Sequence, residues 1–317
     1  MLSVLKVGGS VLRDDASYAT VATFLRGRLA GHPDERLVVI VSARHGSTDA
    51  LLAEAQAILA DPSASEGRRE PPRSGGPSAQ RGGDSKGAPP AASEGRREPP
   101  RSGGPTAQRA GDSKGAAPGE VNNDTLDLLW STGELRSVAL LALHLQRIGI
   151  AAVPFNVHQA GLVAERGSGT TVRPLRLLAA LASSRIVIVP GFLGVSAGGT
   201  ITSLGRGGSD LTAVLLAAAV RADACELIKD VPGYFTADPH RDAHAQPLHD
   251  LSVDEALCMA DKGCDLVQRA ALVAAAHACL HLTIRSMDAA APVTHVHSRS
   301  HHGVRHEDHS RRSAVGA

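Results

Sequence analysis

A three-layer αβα sandwich with a mainly parallel central sheet is the fold class this sequence predicts. Three observations predict it. Short, unbroken apolar runs recur along the chain, helical stretches alternate with them, and glycine clusters fall where the runs end. Unbroken runs of four or five apolar residues describe strands buried on both faces, as in a parallel sheet covered by helices. Ligands in such sheets gather beyond the carboxyl ends of the strands, where the glycines lie here.

The elements follow in order. Val4 to Val7 and Leu37 to Val41 are the first two expected strands, and Ala50 to Leu59 the first clear helix. Leu135 to Arg147 reads as a helix, Ile150 to Val153 as a strand, Pro174 to Leu181 as a helix and Ile186 to Val189 as a strand. Leu211 to Arg221 is an apolar helix. Ser252-Val253-Asp254-Glu255 fits a capping box, in which the Ser accepts from the backbone and the Glu reaches back. It opens a helix running to about Asp261.

Composition divides the 317 residues into unlike parts. Residues 65–119 hold 9 of the 18 prolines, 12 of the 33 glycines and no aromatic residue, so they cannot bury enough apolar surface to offset ordering entropy. The segment is expected to be a disordered insertion. It is also a duplication: Ser65-Glu66-Gly67-Arg68-Arg69-Glu70 returns 28 residues later as Ser93-Glu94-Gly95-Arg96-Arg97-Glu98. With no apolar face to stack, the units cannot form a solenoid. A duplicated linker, or a basic docking segment for an acidic partner, remains. Residues 1–64 and 120–298 then make one domain, and 299–317 a disordered tail rich in His and Arg. His295 and His297, with His301, His302, His306 and His309 of that tail, hold six of the 15 histidines, and they read as solvated rather than metal-binding.

The net charge of +1 is a sum of opposites. The insertion carries +4 and the tail +2, which leaves the body at −5 and argues against nucleic acid as partner. Cys225, Cys258, Cys264 and Cys279 form no C-x-x-C pair and read as small buried residues of a reducing compartment. No signal segment is evident, and the apolar run at Val214 to Val220 is far short of the ~20 residues of a membrane span. A cytoplasmic enzyme that does not engage a membrane is the expectation.

Two glycine clusters carry chemistry. In Lys6-Val7-Gly8-Gly9-Ser10 a strand ends in a lysine and turns at once through two glycines. Such a turn lets backbone approach a phosphate, with the lysine adding charge, although a plain structural turn has the same look. The G-x-x-x-x-G-K-[ST] spacing of a Walker A loop is absent. The second cluster, Thr202-Ser203-Leu204-Gly205-Arg206-Gly207-Gly208-Ser209-Asp210, feeds a helix N-terminus and so supplies free N–H groups and a favourable dipole to an anion. Arg206 suits bidentate binding of a carboxylate. Asp210 is either a helix cap or a working acid. Pro190-Gly191-Phe192-Leu193-Gly194 would form a second backbone wall.

In this order the stretches resemble the aspartate kinases of the amino acid kinase superfamily, from Met1 to about His297 across the insertion. The resemblance also rests on Val41-Ser42-Ala43 with Ser47-Thr48-Asp49, on Ser131-Thr132-Gly133-Glu134, and on Asp230-Val231-Pro232-Gly233-Tyr234 to Ala237-Asp238-Pro239. It implies the acetylglutamate kinase-like fold, ATP and Mg²⁺, and transfer of the γ-phosphoryl group to the side-chain carboxylate of L-aspartate. The product would be 4-phospho-L-aspartate, the first step toward lysine, threonine and methionine. By the same resemblance Lys6 contacts the transferring phosphoryl group and Asp210 organises that lysine. Glu134 receives the substrate ammonium and Arg206 its α-carboxylate, with Ser42, Thr48, Phe192, Gly194 and Ser209 completing the acceptor pocket. Gly8, Gly9, Ser10, Lys229, Asp230, Tyr234 and Asp238 join Lys6 on the nucleotide side. No protein-borne metal site is expected, and a homodimer is. A capping box at Ser131-x-x-Glu134 and a core role for Tyr234 are the structural alternatives.

The chain departs from the family pattern in three places. The common Asp-Pro-Arg turn reads Asp238-Pro239-His240, with Arg241 one residue later. Where relatives have Gly-Ala-Lys-Val-Leu-His-Pro-Arg, this chain has Gly263-Cys264-Asp265-Leu266-Val267-Gln268-Arg269. A carboxylate there repels phosphate unless Mg²⁺, Lys229 or Lys262 intervenes. Finally, Leu280 to Ser286 resembles the last strand of the kinase domain, and no length remains for regulatory ACT domains. Two rivals stand beside aspartate kinase activity: an amino acid kinase with a different carboxylate substrate, and a degenerate regulatory subunit that binds nucleotide or amino acid.

Overall fold

The computed structural model describes residues 1–60, 122–165, 169–239 and 241–298. The duplicated insertion, His240 and the tail from Arg299 lie outside the described residues. The chain opens with β1 (Leu2–Val7), α1 (Asp15–Gly31), β2 (Arg36–Val41) and α2 (Ser47–Ala60), and α3 (Asn123–Arg147) follows the insertion. Next come β3 (Val153–Pro154), α4 (Val157–Ala160), β4 (Leu162–Ala164), β5 (Thr170–Val172), α5 (Leu175–Ser183), β6 (Ile186–Pro190), β7 (Leu193–Val195) and β8 (Ile201–Ser203). The second half holds α6 (Gly208–Val220), β9 (Ala224–Ile228), β10 (Tyr234–Phe235), β11 (Pro247–Leu248) and β12 (Asp250–Ser252). It closes with α7 (Val253–Asp261), α8 (Arg269–His277), β13 (Leu282–Arg285) and β14 (Thr294–His297).

One eight-stranded sheet runs in the order β12-β14-β13-β9-β1-β2-β6-β3, and only the β13–β14 pair is antiparallel. Side chains alternate across a strand, so each buried strand feeds two cores. Leu5, Val7, Leu37, Val39, Ile186 and Ile188 face Tyr18 and Leu25 of α1 and Val138, Leu141 and Leu145 of α3. Their neighbours Val4, Val38, Ile40, Val187 and Val189 face Val214 and Leu216 of α6 and Leu272 and Ala275 of α8. Two cores on one sheet make the three layers. The expected α/β class holds, and the Ser252–Glu255 capping box is present as read, with both reciprocal bonds formed.

Several expectations need correction. The run Ile150 to Val153 yields only the two-residue β3 at the sheet edge, since Ile150 is still tied to the end of α3 by its N–H donating to the Leu145 carbonyl at 3.0 Å. α3 begins at Asn123, twelve residues before the expected start, so Ser131 and Glu134 lie mid-helix and the capping box at Ser131 does not exist. A separate four-stranded sheet, β5-β4-β7-β8, was not foreseen. Strand β13 is not the last, since β14 pairs back on it. Of the four cysteines, all free, only Cys225 is buried, while Cys258 and Cys279 are exposed on helix ends and turns.

Candidate functional site

The carboxyl ends of β1, β2, β6 and β9 converge on one point. Lys6 is the penultimate residue of β1, and Lys229 directly follows the neighbouring strand β9. The Gly8 N–H donates to the Ile228 carbonyl at 3.1 Å, which ties the first glycine turn to the end of β9. Gly9 lies so near the loop after β2 that an added Cβ would stand 2.8 Å from the Ala43 carbonyl oxygen. Only glycine allows that approach.

Asp210 binds both lysines. Its Oδ1 is 2.8 Å from Lys6 Nζ and its Oδ2 is 2.7 Å from Lys229 Nζ. The cap of α6 is Gly207, with no side-chain cap bond, so Asp210 is not the helix cap. Burial alone would raise the Asp210 carboxyl, but the two ammonium groups outweigh it and hold the pKa at about 2. Lys229 is pushed down to about 8, by burial first and then by the like charge of Lys6, with Asp210 opposing. The group carries two cations and one anion, so it retains positive charge for an incoming anion.

Two cavities meet at this group. The first, of about 330 Å³, is lined by Lys6, Ser42, Thr48, Glu134, Phe192 and Ser209, with Asp210 and Lys229 at its floor. Glu134 projects from the middle of α3, and its Oε2 is buried without a hydrogen-bond partner among the described residues. Burial pushes its carboxyl up to about 8, against a backbone hydrogen bond at Ala43 and the charge of Lys6. A buried carboxyl with an open oxygen suits a ligand cation. Phe192 takes a left-handed backbone, φ 70°, held by its N–H on Thr212 Oγ1 at 3.2 Å and by edge-on contact with Trp130.

The second cavity, of about 880 Å³, is lined by Ser10, Lys229, Asp230, Tyr234 and Asp238, with an apolar flank from Leu248, Met259 and Leu266. Ser10 Oγ donates to Asp230 Oδ1 at 2.8 Å. Tyr234 is 1% exposed, so it belongs to the core and to the cavity wall together. An apolar flank beside a polar, cationic end fits a nucleotide, and the volume lies in the range of small-ligand sites. Its carboxylates are hard oxygen donors suited to Mg²⁺. Among the described residues, no group of three or more His, Cys, Asp or Glu could hold a metal ion. A cation here would take much of its shell from phosphate oxygens and water.

Three predicted residues stand apart. Arg206 is exposed and does not line the first cavity. Gly194 is buried in β7 against Ala164, and Gly8 lies under the turn rather than on either wall. Arg241, the shifted guanidinium, lies 3.4 Å from Asp238 instead of lining the cavity. Arg44 and His45, by contrast, line the first cavity and were passed over in the sequence, although they fall between two quoted stretches. Gln268 was also missed: it lines the first cavity and packs on the Gly207 loop.

Comparison with known proteins follows the same lines. Residues 1–286 match the family model described as the amino acid kinase family. The aspartokinase of Geobacillus stearothermophilus is 41% identical over 165 residues, covering 51% of this chain and 40% of that protein. The chain thus matches less than half the length of this relative. Among solved structures, the aspartate kinase from Synechocystis aligns with a TM-score of 0.66 at 28% identity, over 94% of this chain and 40% of that one. E. coli aspartokinase III in complex with aspartate and ADP aligns at 0.65 with 21% identity, over 95% and 66%, and shares the fold.

Proposed function

The chain belongs to the amino acid kinase family, and on that premise we infer that it transfers the γ-phosphoryl group of ATP to the side-chain carboxylate of L-aspartate. The observation that carries this reading is the Lys6–Asp210–Lys229 group at the meeting of two cavities. The smaller would hold the amino acid and the larger the nucleotide.

In the acceptor cavity the substrate ammonium would meet the open oxygen of Glu134, with Ser42 and Thr48 supplying hydroxyls. Arg206 would have to swing inward to reach the α-carboxylate, whereas Arg44 already lines that cavity. In the donor cavity Lys229 and the Ser10 turn face the phosphates. Both reactants are anions, so the residues here work by positioning and charge neutralisation. A side-chain carboxylate oxygen of aspartate forms the new bond to the γ-phosphorus, the bond from phosphorus to the β,γ-bridging oxygen breaks, and ADP leaves with that electron pair. No proton need move, because the attacking carboxylate is already ionised. Lys6 and Lys229 neutralise the charge on the transferring group, and Asp210 holds both ammonium groups in place. Mg²⁺ bound with the nucleotide would supply further neutralisation of the phosphate oxygens.

The test is ATP- and Mg²⁺-dependent formation of aspartyl hydroxamate with hydroxylamine as trap. Lys6→Ala should lower the rate about a hundredfold or more, the usual consequence of losing one preorganised charge. No product above that variant's background would overturn the reading. Tight nucleotide binding without turnover would instead favour a binding subunit, a reading that the carboxylate of Asp265 on both cavity walls keeps in view.

A further inference from the structure

The charged residues lining the donor cavity do not favour a bare polyphosphate. Lys229 and Lys262 face Asp230, Asp238 and Asp265, a formal excess of one negative charge. The three carboxylates differ in their engagement. Asp230 accepts from Ser10 and lies 3.6 Å from Arg13, and Asp238 lies 3.4 Å from Arg241. Asp265 is exposed, and its carboxylate has no hydrogen bond or salt bridge among the described residues.

Its position is more telling than its charge. Asp265 lines both cavities, as do Ser10 and Lys229. It is therefore at the boundary where the donor's terminal phosphate would meet the acceptor. The segment is anchored there, because Gln268, the cap residue of α8, packs directly on Gly207 of the loop before α6. A carboxylate without an ion-pair partner repels a nearby phosphate, and a divalent cation placed between them cancels that repulsion.

We propose that Asp265 makes the donor site selective for a nucleoside polyphosphate carrying a divalent cation, by repelling the metal-free form. This rests on the nucleotide reading above and adds a specificity determinant to it. The carboxylate would meet such a cation only across water, so removing its charge would chiefly relieve the metal-free complex.

Titration calorimetry of the full chain with a non-hydrolysable ATP analogue, in Mg²⁺ and in EDTA, reads this directly. Wild type should bind the Mg²⁺ form more tightly. Asp265→Asn should tighten metal-free binding roughly tenfold, the scale of one charge interaction, with a much smaller change in the Mg²⁺ form. Asp254→Asn makes the same charge change on α7, outside both cavities, and should leave the ratio alone. Thermal melts check that Asp265→Asn folds, as expected of an exposed residue. An unchanged ratio in Asp265→Asn, or an equal shift in Asp254→Asn, would overturn this proposal alone. If wild type binds neither form, the nucleotide reading fails first, and this proposal with it.

Discussion

Glu134 holds its proton where an exposed glutamate would not. It lies in the middle of a helix, its carboxyl is buried, and its pKa is pushed up to about 8. Between the unfolded value near 4.5 and about 8 the folded chain therefore binds more protons than the unfolded one, so stability falls as pH rises through that window. An ammonium docking on the carboxylate reverses the preference and expels the proton. Calorimetry of aspartate binding at pH 7 in buffers of different ionisation enthalpy should show close to one proton released per ligand. Asp-side affinity should rise from pH 6 toward 8, and Glu134→Gln should remove both the proton release and the pH slope. Binding without proton release would show that the ammonium goes elsewhere. At this scale Lys6 and Asp210 were legible from their glycine-rich stretches, whereas Glu134 and Lys229 entered only through the family resemblance; all four line one cavity. Arg206 was legible as a residue type but not as a position, since the loop before α6 turns its side chain toward solvent.

Elements were legible where the apolar pattern was strong. β2 and β6 are near-continuous apolar runs and β1 is interrupted only by Ser3 and Lys6, and their buried faces follow directly. The first half of α3 was not, because Ser131-Thr132-Gly133 looks like a turn. The helix continues through it as both hydroxyls bond back to backbone, Ser131 to Leu128 and Thr132 to Leu129. The small sheet was hidden for another reason: β5 and β8 are three residues long and rich in Thr and Ser, too short to show a period. The contact between the α6 loop and α8 is purely tertiary, and it makes its own prediction. Gly207 has φ 73°, and a Cβ there would stand 1.9 Å from Gln268 Cγ and 2.3 Å from its Cβ. Gly207→Ala combines backbone strain of about 1–2 kcal/mol with a clash that displaces α8. Urea melts should show a loss of about 2–3 kcal/mol. Adding Gln268→Gly should recover the steric part and leave the backbone strain of about 1–2 kcal/mol, whereas Gln268→Ala should not, because its Cβ still collides. Full recovery by either would show that the left-handed backbone carries no cost here.

At the scale of the whole molecule, one domain is assembled across an interruption. Helix α2 ends at Ala60 and α3 begins at Asn123, yet α3 packs on α1 and β2, encoded before the gap, as well as on β6, encoded after it. The two halves share a continuous sheet, with β2 from the first paired to β6 from the second. Every described residue of the candidate site lies on one side or the other of the insertion. The composition of that segment offers little apolar surface to bury, so its main thermodynamic effect on the domain should be loop closure. Deleting 65–119 shortens the connection roughly tenfold, a little over three doublings, which reduces the closure entropy by about 2 kcal/mol for an ideal chain. α2 already packs against α3, and the few remaining connecting residues should suffice. The expected result is a melting temperature equal to wild type or up to roughly 5 °C higher, with kcat/KM for hydroxamate formation within about twofold of wild type. A lower melting temperature would show that the duplicated segment packs on the domain. Lost activity at unchanged stability would instead place part of that segment at the site.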